Sequence, residues 1–447
     1  MVKPANPPLP DASLPRQHFV LVFAALLVTA AGNTALQSVL PVIGREIRIP
    51  DMAIAVIFSL SALFWTFSAP YWARQSDVRG RRRLMQVGVM GFGVSMLLCA
   101  CVILAGIRGL ITPLVTFGLF MAARALFGIF GAAANPAAQA YVAGRTTPAQ
   151  RTTALATLAS AFGLGTILGP AVAPFFILPV VGLAGPMFAF AVIALAVVVA
   201  LQLGLPDDDP THAPPGTGQP GRGAVATMPS VGGSPVGASA MAAEETTVTG
   251  RRDRLAVTDP RIKPFMIYGF AAGSLQAATG QALGFFIIDR MGGTGMPAPQ
   301  MIGIALMGGA GATLLVQWGV IRILDLSPSQ LMRWGALLAA AGTLGIAFAA
   351  DFHSLVLAFA LASAGFGFAR PGFTAGSSLA VSRAEQGGVA GAVTAVNGAC
   401  FIVAPAIGIG LYEVVPELPY WLAAAGLLIL AAYAWKNRLL RYSEVVE

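Results

Sequence analysis

The sequence is poor in charge. Of its 447 residues only 10% are Asp, Glu, Lys or Arg, against roughly 25% in soluble globular domains. So thin a shell cannot solvate a chain that is 56% hydrophobic, with a mean hydropathy of +0.76. This excludes a soluble enzyme, a nucleic-acid-binding protein and a disordered scaffold, and makes lipid part of the solvent. Lysine is nearly absent. Lys3, Lys263 and Lys436 do not follow glycine in a phosphate-loop pattern, which excludes an ATP-driven pump. The three cysteines, Cys99, Cys101 and Cys400, lie in apolar runs and read as small hydrophobes rather than a disulfide or zinc set. None of the 19 carboxylates falls mid-span; those nearest to membrane are Glu46, Asp77, Asp289 and Glu413. His18, His212 and His353 also lie outside span centres. With no metal-ligand set and no nucleophile beside a base, the sequence argues against a membrane-embedded enzyme and implies no cofactor. It also lacks a filter-like repeat of the kind a channel would carry.

What is abundant is long apolar runs. Twelve can span about 30 Å of hydrocarbon as helices: 18–43, 52–73, 85–107, 111–140, 152–177, 182–204, 263–288, 298–322, 330–350, 354–380, 386–411 and 415–435. Their length and lack of period-two alternation give an all-α membrane protein. The expected organisation is a tail (1–17), a six-helix bundle (18–204), a flexible Gly/Pro/Ser-rich linker (205–262), a second six-helix bundle (263–435) and a tail (436–447). If the N-terminus is cytoplasmic, 21 of the 27 Lys/Arg fall on that side, four fall outside and two, Arg124 and Arg370, lie within spans. The net charge of +8 then reports positive-inside topology in a plasma membrane, with both termini cytoplasmic.

The halves repeat each other. Asn135-Pro136 matches Arg370-Pro371, and Gly169-Pro170 matches Ala404-Pro405, both at a spacing of 235 residues. Pseudo-symmetric halves are the mark of a carrier that rocks about a central site.

Three motifs stand out. The loop after the second span reads Ala73-Arg-Gln-Ser-Asp77-Val-Arg-Gly80-Arg81-Arg82-Arg83. Gly80 permits a tight turn, and Asp77 is placed to cap a helix or pair with an arginine. The fourth span holds Arg124-x-x-x-Gly128, a charge costing about 2.5–3.5 kcal/mol on insertion scales. Such an arginine either snorkels toward the outer face or meets a partner or wet cavity. The fifth span holds Gly163-x-Gly165-x-x-x-Gly169-Pro170, small residues for close packing with a proline that permits a bend.

These motifs resemble those of the major facilitator superfamily, most nearly its twelve-span drug:proton antiporters, a family of efflux pumps. Asp77, Gly80, Arg81 and Arg82 match the family's loop signature, with Ala73 and Val78 as departures. The resemblance implies a major facilitator fold of two pseudo-symmetric six-helix bundles. It implies a gating latch at this loop, proton coupling through Arg124 and antiport through Gly169 and Pro170, although Ala173-Pro174 replaces the family's closing glycine pair. Spans 1, 4, 7 and 10 usually line the site in this family. The expected binding residues are Asn33, Gln37, Trp65, Arg124, Gln276, Gln281, Phe366, Arg370 and Asn397; for the neutral polar ones an interhelical hydrogen bond is the competing role. Two arginines and no buried acid favour an anionic or zwitterionic amphipathic solute. The expected function is efflux of a small organic solute by a monomeric carrier in membrane lipid, with the proton gradient as energy source. A facilitative or proton-coupled uptake carrier for an organic anion is the alternative.

Overall fold

The computed structural model describes residues 14–146, 148–206, 257–292, 295–382 and 385–441. Most of the expected linker (207–256) lies outside the described residues, as do residues 1–13 and 442–447 of the tails and the side chain of Asp77. The first half contains α1 (Arg16–Ile47), α2 (Asp51–Arg79), α3 (Arg81–Ile107), α4 (Pro113–Ala143), α5 (Pro148–Val172) and α6 (Gly185–Gly204). The second contains α7 (Lys263–Met291), α8 (Ala298–Leu324), α9 (Pro328–Ala347), α10 (Phe352–Leu379), α11 (Gln386–Val414) and α12 (Leu418–Lys436).

Among the described residues, ten of these helices are long and apolar enough to cross a membrane. The other two are α7 and α9. Ser274, Gln276, Thr279 and Gln281 interrupt the apolar run of α7, and Ser329, Gln330 and Arg333 do so in α9. Helix ends follow local chemistry. Thr112 caps α4 through the Val115 amide, and Ser327 and Asp351 form capping boxes on α9 and α10. Gly80, at φ 85°, is the whole turn between α2 and α3. Inside α4 the turn Gly131–Ala133 tightens to a 3-10 helix, because Pro136 has no N–H to donate to the carbonyl of Ala132.

The two halves meet along α2 with α11 and along α5 with α8, with α1 also touching α7 and α8. Within each half, small residues set the closest approaches. In α9 and α10, Gly335, Gly342 and Gly365 lie against the backbones of Ala369, Ala362 and Ala339, so a Cβ at any of them collides with main chain. Backbone cannot yield as a side-chain tip can. Gly365→Leu is therefore expected to destabilise the protein by at least about 1–3 kcal/mol. A monodisperse variant that unfolds at the parental temperature would contradict this packing account.

At the end that carries the termini, Arg261 ties the stretch before α7 to the start of α11. Its Nη2 lies 2.7 Å from Oε1 of Glu385, and Asp259 holds its other edge. Hydrogen bonds from Arg261, then from Ser382, pull the Glu385 carboxyl down to about 2 from an ordinary value near 4.5. A carboxylate depressed by folding stabilises the fold above its unfolded value and loses that effect as pH falls toward the folded one. Glu385→Gln should thus lower the unfolding temperature slightly at pH 7, and the gap to the parent should close between about pH 4.5 and 2. Thermal scans of both proteins across that range check it.

Candidate functional site: two arginine–amide pairs and a far-end latch

Arg124 is completely buried. It does not snorkel. Its Nη2 donates to Oδ1 of Asn33 on α1 at 2.7 Å, and its guanidinium lies over the rings of Phe127 (4.6 Å) and Phe58 (5.6 Å). The α4 backbone beside it is held by Ser61 of α2 and Ser95 of α3, whose hydroxyls donate to the carbonyls of Arg124 and Ala123. Gly128, one turn on, sits against the Ser61 carbonyl, where a Cβ would come within 2.5 Å. The Arg-x-x-x-Gly spacing thus does two jobs on one helix: the arginine reaches α1, and the glycine lets α4 approach α2.

The second half repeats the theme on the equivalent helices. Arg370 of α10 is half-buried, and its Nη2 donates to Oε1 of Gln276 on α7 at 3.4 Å. Each half therefore joins an arginine on its fourth helix to an amide on its first. The residues are not equivalent by position, since the repeat sets Arg370 opposite Asn135.

Burial leaves several polar atoms of the predicted binding residues without a protein partner. They are Nδ2 of Asn33, Oε1 of Gln37, Nε1 of Trp65, Nε and Nη1 of Arg124, Nε2 of Gln276 and Nδ2 of Asn397. Six of these seven are donors. The amide orientations of Asn33 and Gln276 are fixed by the arginines that their oxygens accept from. Asn33 and Gln37 lie one turn apart on α1, and the Trp65 ring packs on Phe127 at 5.3 Å. Asn397 sits beside Gly398, where a Cβ would come within 3.1 Å of the Thr66 hydroxyl of α2. Phe366 and Trp65 are both buried among apolar side chains. Among the described residues no hydrogen bond joins Gln281 to either pair.

The fifth-span motif packs on two faces. Gly165 and Gly169 lie against the α1 backbone around Ala31, and the Thr34 hydroxyl donates to the Gly165 carbonyl at 3.2 Å. The Pro170 carbonyl faces Gly303 of α8, so the same helix carries part of the contact between halves. In the loop motif, Nη1 of Arg82 donates to the Leu205 carbonyl at 2.7 Å, and the Arg81 guanidinium rests on Gly144. These contacts stay inside the first half.

The halves are latched at the far end, away from the termini. Arg45, in the last turn of α1, grips Asp51 with Nε and Nη2 at 2.9 and 2.6 Å. The same Nη2 reaches Asp289 of α7 at 2.9 Å. The Tyr412 hydroxyl of α11 donates to Asp289, and the Met52 amide donates to Glu413 at 3.0 Å. Sequence reasoning placed Asp289 and Glu413 at membrane boundaries but did not connect them to Arg45, Asp51 or Tyr412.

A model of the Major Facilitator Superfamily matches residues 22–324. The chain belongs to the Major Facilitator Superfamily. The multidrug resistance protein MdtG of Proteus mirabilis is 28% identical over 160 residues, which are 35% of this chain and 37% of that protein. The multidrug efflux pump LfrA of Mycolicibacterium smegmatis is 32% identical over 154 residues, 34% of this chain and 28% of that protein. These matches thus span about a third of each relative's length. Among solved structures, the human organic anion transporter MFSD10 superposes with a TM-score of 0.62 at 18% identity, covering 96% of this chain and all of that one. A bacterial homologue of the human lysosomal transporter Spinster, inward-facing and occupied, gives 0.65 at 11% identity, covering 93% and 95%. The family match and these superpositions together show the major facilitator fold.

Proposed function

We propose that this carrier exports a small amphipathic organic solute across a bacterial plasma membrane by alternating access, driven by proton antiport, and that it favours anionic or zwitterionic solutes. The carrying observation is that six of the seven buried polar atoms left without a protein partner on the predicted binding residues are donors. A carboxylate or another acceptor-rich group satisfies such donors, whereas an ammonium would add donors to them. No described carboxylate lies mid-helix to hold a cation. The efflux reading is supported by the multidrug relatives. The Lys/Arg bias supports cytoplasmic termini; on that reading the latched far end faces outward and the solute enters from inside.

Reconstituted vesicles with an imposed pH gradient test this. Flux of a carboxylate amphiphile is compared with that of a size-matched ammonium. Carboxylate flux should depend on the gradient and run against proton flow. Arg370→Ala should weaken carboxylate binding about tenfold or more, as loss of a charge-assisted hydrogen bond does. Tighter binding of the ammonium, unaffected by Arg370→Ala, removes the anion preference. Flux that ignores the gradient removes antiport, and accumulation in the opposite sense favours an uptake carrier.

A further inference from the structure

A second feature lies outside the central site. Between α3, α4 and α6 a lateral groove of about 760 Å³ opens on the outer surface of the first half. Its walls are apolar: Met90 and Val94 of α3, Leu126 and Phe130 of α4, Leu195 and Val199 of α6. The α3 lining residues 83, 86, 87, 90, 91 and 94 recur at helical spacing on one face. From Arg83 to Val94 the groove runs about 16 Å at the α-helical rise, roughly half of a ~30 Å hydrocarbon core. It is therefore one leaflet deep.

The mouth at the end that carries the termini is polar. Arg83 stands there beside Gln86 and Gln202, whose side chains hydrogen-bond to each other at 2.6 Å. Three arginines follow one another, and their fates differ. Arg81 rests on Gly144 and Arg82 bonds to the Leu205 carbonyl, both toward protein. Arg83 is exposed and has no ion-pair partner among the described residues. No lining residue is acidic. A cation at headgroup level above a groove one acyl chain deep matches an anionic headgroup joined to a hydrocarbon chain.

We infer that this groove binds one anionic phospholipid of the leaflet nearest the termini, with its phosphate on Arg83 and an acyl chain between α3, α4 and α6. The chain would lie against Leu126 and Phe130, in the stretch of α4 that runs directly into its 3-10 segment. It would thereby brace the helix that carries Arg124 from its lipid side.

The test uses the full-length protein in mixed micelles, with retained lipid counted by native mass spectrometry. Phosphatidylglycerol is compared with phosphatidylcholine of the same chains. The expected preference for phosphatidylglycerol is about fivefold, the ratio one basic side chain gives at a membrane surface. Arg83→Gln should bring it to parity. Val94→Trp should reduce retention of both lipids, whereas Leu357→Trp, on the exposed face of α10, should not. Val199→Trp fills the groove from α6 and keeps the test decisive if Val94→Trp fails to fold. Equal retention of the two lipids by the parent overturns the inference. So does a preference that survives Arg83→Gln, or retention unchanged by both tryptophans. A transported amphiphile retained in the groove in place of lipid also overturns it.

Discussion

Replacing Arg124 with leucine should abolish solute flux and leave the protein as stable as the parent, or more so. A charge at this depth costs about 2.5–3.5 kcal/mol even on insertion scales. Its compensation is incomplete: one hydrogen bond to a neutral amide and two ring faces, with Nε and Nη1 left without protein partners. Leucine fits between Phe58 and Phe127 and needs none of these. Asn33→Ala should do the opposite to stability. It keeps the buried guanidinium and removes its hydrogen bond, a loss of about 1.5–3 kcal/mol for a charged partner. Unfolding temperatures of the purified variants, read beside flux in vesicles, separate the two. If the leucine variant transports normally, Arg124 has no part in the transport cycle. If it unfolds well below the parent, the arginine is there for the fold.

The contrast between those variants bears on how much the sequence discloses. Periodicity and hydropathy located the helices because each must satisfy its own backbone in lipid, whatever its neighbours do. Arg124 was legible because a mid-span charge is costly, and Gly80 because helices abut there without a linker. Partners were harder. Nothing in the α4 sequence says that Arg124 meets Asn33 rather than another polar group, since that depends on how α1 and α4 rotate about their axes. The same holds for Gly165 and Gly169, whose spacing announced close packing but not that α1 was the helix approached. Trp65 makes the same point: its apolar run announced a buried ring but not that the ring would pack on Phe127.

The arginine–amide pairs also show what pseudo-symmetry preserves. The repeat keeps the helices and their prolines in register but moves the charge along the axis, from Arg124 in one half to Arg370 in the other. Arg124 is sealed, whereas Arg370 is partly open. On the proposed mechanism this gives them different roles. Arg370 can meet solute directly, while Arg124 communicates through Asn33 and the α1 backbone that Gly169 and Thr34 lock to α5.

Arg45→Ala should shift the carrier toward a state open at the far end. Arg45 is the one described cation touching both Asp51 and Asp289, so it joins α1 and α2 to α7. Removing it leaves those two carboxylates in the latch region without their shared cation, with Glu413 nearby on α11. Its side chain is 41% exposed and that of Asp289 is 38%, so water screens this link and each such pair contributes under about 1 kcal/mol. Asp51 is only 10% exposed and is gripped through two bonds, but it lies in the same half as Arg45 and keeps that grip in either state, so the Asp289 link alone sets the effect. Under about 1 kcal/mol corresponds to a shift of up to roughly fivefold in the ratio of states. Spin labels at Glu46→Cys and Val414→Cys, in a Cys101→Ala background, report the far-end separation by pulsed resonance. The alanine variant should show a new population at longer distance, and Asp289→Asn a smaller one, since asparagine can still accept from Arg45 and Tyr412. An Arg45→Ala distance distribution that matches the parent would show that the latch is decoration and that apolar contacts such as Gly284 on Pro41 hold the far end shut.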